Sequence, residues 1–167
     1  MGKIKEFHEL TETCRSLRKK GKKIGLVTGC FDVFHIGHVK FLEFARSQVD
    51  CLIVGLESDN SIKVNKGQGR PIFKYLQRAE VLASLRVVDF IFEIKNNVKF
   101  DSNNPPKVYL SILEQLRPYA LISSPCDKKY LENKKKDAEK VGAKLILFHK
   151  NLNISSTETI KKIKLLN

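Results

Sequence analysis

Ile24-Gly25-Leu26-Val27-Thr28-Gly29-Cys30-Phe31-Asp32-Val33-Phe34-His35-Ile36-Gly37-His38 runs from an apolar stretch, through a turn, into a helical pattern. Ile24–Thr28 is apolar without alternation, as a strand buried on both faces of a parallel sheet requires. The same kind of segment recurs at Cys51–Leu56, Asp89–Ile94, Ala120–Ser123 and Lys144–His149. Helical periodicity fills the gaps at Gly37–Gln48, Tyr75–Arg86, Pro106–Arg117 and Lys128–Val141, and resumes from Ser156. The clearest of these helices carries Tyr109, Ile112, Leu113 and Leu116 on one stripe behind Pro105-Pro106. Strand and helix in strict alternation predict an α/β fold, a three-layer sandwich around a parallel sheet of about five strands with right-handed crossovers. An opening helix, Ile4–Lys20, ends at Gly21, so residues 1–22 read as an N-terminal helical extension of a single domain, 1–167.

The chain is long enough, at 167 residues, to bury about two-thirds of its unfolded surface without a disulfide or metal staple. With 42% hydrophobic and 29% charged residues, disordered and fibrous classes are excluded. The longest apolar runs, such as Cys51–Leu56, fall far short of the roughly 18 residues of a membrane span. The charged start Met1-Gly2-Lys3-Ile4-Lys5-Glu6 has no apolar signal core. Cys14, Cys30, Cys51 and Cys126 form no CxxC pair and no zinc spacing, and read as reduced thiols. A cytoplasmic protein with no membrane partner is expected. The formal charge of +13 favours anionic partners, either nucleic acid or small phosphorylated ligands, or serves only as a solubilising surface. Its clusters (Arg18–Lys23, Lys134–Lys136, Lys161–Lys164) are short and lack the interleaved aromatics of a base-stacking surface, so no nucleic-acid partner is expected.

Two segments, Glu57–Phe73 and Asn96–Asn104, break the rhythm and read as long loops of the kind that serve a site. In open parallel sheets ligands bind beyond the carboxyl ends of the strands, where Glu57–Phe73 begins. The turn after the first strand lies at that same edge. His35 and His38, separated by Gly37 at a helix start, can donate N–H bonds where amides and the helix dipole already favour an anion. Gly37 lets a phosphate approach the backbone, and Gly29 leaves room for a ligand above the sheet. Metal binding alone would need three or four ligands, and only Cys30 and Asp32 lie nearby; no metal ligand set is assigned.

The run Gly29-Cys30-Phe31-Asp32 followed by His35-Ile36-Gly37-His38 resembles the G-x-F-D…HxGH signature of the cytidylyltransferase-like nucleotidyltransferases. The resemblance extends from about Lys23 to Ile163. Ser58-Asp59-Asn60-Ser61 and Lys66-Gly67-Gln68-Gly69-Arg70-Pro71 are similar to the S-D-x-S…K-G-x-x-R-P segment of heptose-phosphate adenylyltransferases. Gln77-Arg78 and Val88-Asp89 match the E-R…V-D pattern, with Gln77 in place of Glu. Ser155-Ser156-Thr157 resembles the S-T-T before the last helix, and Ser155 with Glu158 also forms a capping box. The Gly-rich stretch expected after the fourth strand is Ser123-Ser124-Pro125-Cys126-Asp127 here, where only Asp127 survives.

The resemblance implies a Rossmann-like fold and transfer of a nucleotidyl group from an NTP to a phosphorylated sugar or polyol, with Mg²⁺ on the triphosphate and pyrophosphate released. The K-G-x-G-R-P loop implies ATP and a heptose 1-phosphate; a CTP-dependent glycerol-3-phosphate enzyme is the alternative, and a nucleic-acid-binding module a distant third. His35 and His38 would donate to phosphate oxygens, and Lys66 and Arg78 would neutralise the triphosphate. Thr28, Gly29, Cys30, Phe31, Asp32, Gly37, Arg70, Asp127, Ser155, Ser156 and Thr157 would line the nucleotide site. Asp32 would orient a histidine or support the turn. A homodimer is expected.

Overall fold

A computed structural model describes residues 2–95, 99–101, 103, 105–124, 130–149 and 154–165. Its elements in chain order are α1 (Phe7–Lys19), β1 (Ile24–Gly29), α2 (Ile36–Ser47), β2 (Cys51–Glu57), α3 (Asp59–Lys66), α4 (Tyr75–Ser84), β3 (Phe90–Ile94), α5 (Val108–Leu116), β4 (Ala120–Ser123), α6 (Leu131–Lys140), β5 (Lys144–Leu147) and α7 (Ser156–Lys164). The five strands form one parallel sheet in the order β3-β2-β1-β4-β5. This is the Rossmann-like α/β architecture expected from the alternation.

Both faces of the sheet are covered, which is why its central strands carry no polar alternation. Along β1 and β2, Val27, Leu52, Val54 and Leu56 belong to the cluster that packs under Phe41, Leu42 and Ala45 of α2 and Ala79 and Leu82 of α4. Leu26, Ile53 and Cys51 point the other way, into the cluster with Leu10 and Cys14 of α1, Ile112, Leu113 and Leu116 of α5, and Ala138 of α6. The residues read as an N-terminal extension therefore complete the second layer. The segment before α1 also lengthens the sheet edge: Lys5 N–H donates to Ile91 O at 2.8 Å and Ile91 N–H to Lys3 O at 2.9 Å.

The segment Glu57–Phe73 departs from the sequence reading, because α3 occupies half of it. The Ser58 hydroxyl caps it by accepting from Ser61 N–H at 3.1 Å, and Gly67 ends it at φ +90°, where a side chain would be strained. Much of the other long loop, Asn96–Asn104, lies outside the described residues. Helix α5 begins at Val108 and not at Pro106; α6 spans Leu131–Lys140, and the expected start at Lys128 lies outside the described residues. Among the described residues no helix is long and apolar enough to cross a membrane.

Because β2 and β3 extend the sheet on one side of β1 and β4 and β5 on the other, the chain reverses direction across the sheet between β1 and β4. Beyond the carboxyl ends of those two strands lies the crevice that such a switch leaves open.

Candidate active site

The turn between β1 and α2 is strained and tightly held. Phe31 and Val33 sit at φ +46° and +50°, a region costly for a β-branched side chain such as valine. Three interactions fix it. The Phe31 side chain is buried in the α2 cluster. The hydroxyl of Ser156, the first residue of α7, donates to the carbonyl oxygens of Asp32 and Val33. The buried carboxylate of Asp32 accepts from Arg70 Nε at 2.7 Å and from the amides of Ile72 and Phe73 at 3.0–3.1 Å. Burial opposes ionisation of Asp32, but those amides and the Arg70 guanidinium together hold its carboxyl below the usual carboxylate value.

His35 and His38 open α2 and define each other's chemistry. Gly37 N–H donates to His35 Nδ1 at 3.1 Å, and His35 N–H donates to His38 Nδ1 at 3.3 Å. An Nδ1 that accepts carries no proton, so each neutral ring holds its proton on Nε2 and retains one N–H donor. The rings stack with centroids 3.9 Å apart, and Phe31 and Phe34 lie against His38 at 5.2 and 5.3 Å. Burial lowers the pKa of His35; burial, with His35 and Lys66 adding to it and Asp32 opposing, pushes His38 down to about 3. Both rings are neutral at neutral pH. A Cβ at Gly37 would lie 2.9 Å from the His35 ring and 3.1 Å from Ile154 Cγ2, so glycine here lets the imidazole fold over its own helix start and lets the approach to α7 pack against it.

The starts of α2 and α7 thus meet at one turn; Gly37 N–H already donates to His35 Nδ1, His38 N–H to His35 O and Glu158 N–H to Ser155 Oγ, so the positive ends of the two helix dipoles are what this turn offers an anion. Ser155 caps α7 by accepting from Glu158 N–H at 3.1 Å; Glu158 places its carboxylate on Lys161 at 2.9 Å instead of completing the box. Thr157 is exposed in the first turn.

On the α5 and α6 side of the Thr28-Gly29-Cys30 backbone is a cavity of about 410 Å³. Leu26, Ile112, Leu113 and Leu121 give it apolar walls, and Glu57, Lys66, Tyr109 and Lys134 give it polar points. Lys66, the last residue of α3, lines this cavity, and its charge also reaches His38 and Cys30. Burial raises the Cys30 thiol despite Lys66, so Cys30 is a neutral wall residue.

Two cations expected to meet the triphosphate are otherwise engaged. Arg78 is 2% exposed. Its guanidinium donates to the carbonyls of Phe73 (2.9 Å), Cys30 (2.6 Å) and Glu57 (2.9 Å) and to Asp59 Oδ1 (2.8 Å). It ties together the ends of β1 and β2, the start of α3 and the segment before α4, and so builds the site from beneath. Arg70 is held against Asp32, with its Nη2 buried and unpartnered. Asp32 is buried and anchors the 70–73 segment. Asp127 lies outside the described residues. Sequence reasoning missed Glu57, Tyr109 and Lys134 as site residues. The available signal was an acid terminating an otherwise apolar strand.

Comparison with known proteins places this geometry among relatives. Residues 26–162 match the family described as cytidylyltransferase-like. The bifunctional protein HldE of Aliarcobacter butzleri (strain RM4018) is 37% identical over 161 residues, 96% of this chain and 31% of that protein. The bifunctional protein HldE of Geotalea uraniireducens (strain Rf4) is 39% identical over 120 residues, 72% of this chain and 22% of that protein. The chain spans about a third or less of the length of these curated relatives. Among solved structures, the lipopolysaccharide core biosynthesis protein from Thermoplasma volcanium GSS1 superposes with a TM-score of 0.62 at 20% identity, covering 78% of this chain and 99% of that one. Pantoate-beta-alanine ligase from Francisella tularensis, complexed with beta-gamma ATP and beta-alanine, gives 0.66 at 19% identity, covering 99% and 78%. At these identities the structural likeness shows the fold alone.

Proposed function

The chain belongs to the cytidylyltransferase-like family of nucleotidyltransferase-type enzymes, and from that premise we propose that it transfers a nucleotidyl group from an NTP to a phosphorylated sugar or polyol. The observation that carries this reading is the pair of neutral, stacked histidines, with Lys66 on the wall of the 410 Å³ cavity and its charge reaching His38. An oxygen of the acceptor's phosphate attacks the α-phosphorus, the bond from that phosphorus to the bridging oxygen breaks, and pyrophosphate leaves. A phosphate monoester is already ionised near neutral pH, so no general base is required. Catalysis is then positioning and charge stabilisation. The Nε2–H groups of His35 and His38 donate to the phosphoryl oxygens in flight. The starts of α2 and α7 receive the triphosphate, and Lys66 neutralises charge where donor and acceptor phosphates meet. The acceptor's carbon skeleton occupies the cavity.

A divalent cation, Mg²⁺ in this reading, would come bound to the triphosphate and neutralise part of its charge. Among the described residues no group of three or more His, Cys, Asp or Glu side chains could cage it, and Asp32, whose charge reaches His38, is engaged by Arg70 and by the amides of Ile72 and Phe73. No protein ligand is assigned to it.

ATP and a heptose 1-phosphate are the substrates we favour, supported by the S-D-x-S…K-G-x-G-R-P likeness to heptose-phosphate adenylyltransferases and by the HldE relatives. The test is a matrix of NTPs against sugar and polyol phosphates, scored by pyrophosphate release. The highest kcat/KM is expected for ATP with heptose 1-phosphate. Preference for CTP with glycerol 3-phosphate would replace the substrates, and no release with any pair would reject the activity.

A further inference from the structure

Strand β2 is apolar until its last residue, Glu57, which is 3% exposed. A carboxylate is costly to bury and is kept inside only where donors compensate it. Ser61 Oγ donates to Oε2 at 2.7 Å and Tyr109 OH to Oε1 at 2.8 Å. Two hydroxyl donors fill about half of the roughly four acceptor positions of a carboxylate. The nearby cations are directed elsewhere: Arg78 donates to Glu57's own carbonyl and to Asp59, and Lys134 Nζ donates to Ser123 Oγ at 3.0 Å. Burial pushes the Glu57 carboxyl above its usual value, and its two hydrogen bonds and the charges of Lys134 and Arg78 only partly offset that. This under-supplied carboxylate lines the cavity, opposite apolar walls and beside Phe100, Tyr109 and Tyr130, whose rings cluster with centroids 5.9 Å from Phe100.

We propose that Glu57 selects the acceptor, its carboxylate taking a hydrogen bond from a hydroxyl group on the acceptor's carbon skeleton while Lys66, on the wall of the same cavity, holds the acceptor's phosphate. The proposal rests on the nucleotidyl-transfer reading above and assigns the cavity a substrate class, a polyhydroxylated phosphate monoester. An acceptor carrying an ammonium group suits the cavity less, since Lys66 and Lys134 both line it. Glu57 is here a specificity-determining residue, not a participant in bond making.

The test is titration calorimetry of the full chain, wild type and Glu57→Gln, with heptose 1-phosphate and with butyl phosphate, which has the same charge and no hydroxyl. Gln can still accept from Tyr109 and bond Ser61, so the ties to α3 and α5 persist. Wild type should bind the sugar phosphate at least about tenfold more tightly than butyl phosphate, the scale of one hydrogen bond to a charged group. Glu57→Gln should lose about tenfold on the sugar phosphate and nothing on butyl phosphate or on the NTP. Equal losses on both monoesters, no loss on either, or no preference in the wild type would overturn the proposal. If Glu57→Gln does not fold, Glu57→Asp, which keeps the charge but withdraws it, is read by the same ratio. Pyrophosphate release is measured separately. Release without hydroxyl preference removes the role of Glu57 and leaves the activity standing, whereas Glu57-dependent sugar binding without release does the reverse.

Discussion

His35 and His38 show how two side chains become a single device. Each Nδ1 is locked by a backbone amide, so each ring keeps Nε2–H as its one donor, with no choice of tautomer. Replacing either by Ala should lower kcat by about 10²–10⁴-fold, the range for losing a preorganised donor to developing charge. Because burial takes His38 down to about 3, kcat should show no inflection from His38 between about pH 6 and pH 8, and the lowered value of His35 leaves no inflection from the pair above about pH 7. Stability carries the sign of the same shift. Between the ordinary value of 6.5 and about 3, the unfolded chain binds a proton at position 38 that the folded chain refuses. Stability therefore falls as pH drops through that window, by at most about 1.4 kcal/mol per pH unit. Thermal melts at about pH 7 and about pH 4.5 should show a smaller loss for His38→Asn than for wild type; equal losses would mean that His38 is not held neutral.

At the scale of elements, the segment from α3 to α4 is a folded flap pinned by two arginines, not an open loop. Arg78 binds it from beneath, and Arg70 meets Asp32 with side-chain exposures of 11% and 1%, too dry for solvent to substitute. Lys66 makes no such tie and lines the cavity. The two basic residues of the K-G-x-G-R-P loop should therefore separate by assay. Arg70→Ala leaves Asp32 buried without its counter-charge and should speed limited proteolysis within residues 67–73 about tenfold or more, since breaking a buried pair costs about 3–5 kcal/mol. Lys66→Ala should be cut at the wild-type rate and should instead lower kcat/KM. Wild-type cleavage of Arg70→Ala would show that the ion pair does not hold the flap.

Over the whole molecule the formal charge is +13, and the lysines and arginines are scattered along the whole sequence. Exposed acids answer some of the lysines through short surface pairs, Lys40–Glu43 on α2, Lys136–Glu132 on α6 and Lys161–Glu158 on α7. Such pairs contribute little to stability. Nucleic-acid binding should then be weak and non-specific, falling about 10³–10⁵-fold between about 50 and 200 mM salt if several phosphates are neutralised. NTP affinity, held by histidine donors and helix starts, should fall much less over the same range. Parallel titrations of labelled RNA and labelled NTP at both salt concentrations decide it; submicromolar, salt-resistant RNA binding without NTP affinity would assign the charge to nucleic acid.

The amino-acid sequence by itself determined the sheet, because strands buried on both faces must be apolar throughout, and all five apolar segments became strands. It also marked the β1–α2 turn, whose histidines and glycine are local to one another and contact across two to three residues. It did not reveal α3, a short polar helix whose signals were only Ser58 at its start and Gly67 at its end. It could not separate Lys66, which lines the cavity, from Arg70 and Arg78, which hold the walls. A guanidinium bonds equally well to a phosphate or to buried carbonyls and carboxylates. The oxygens that Arg78 binds come from Cys30, Glu57, Asp59 and Phe73, brought together only where β1 and β2 end side by side. Glu57 is the same case. Its acid is visible at the end of an apolar strand, but Tyr109, Lys134 and the cavity reach it only after α5 and α6 close over the sheet.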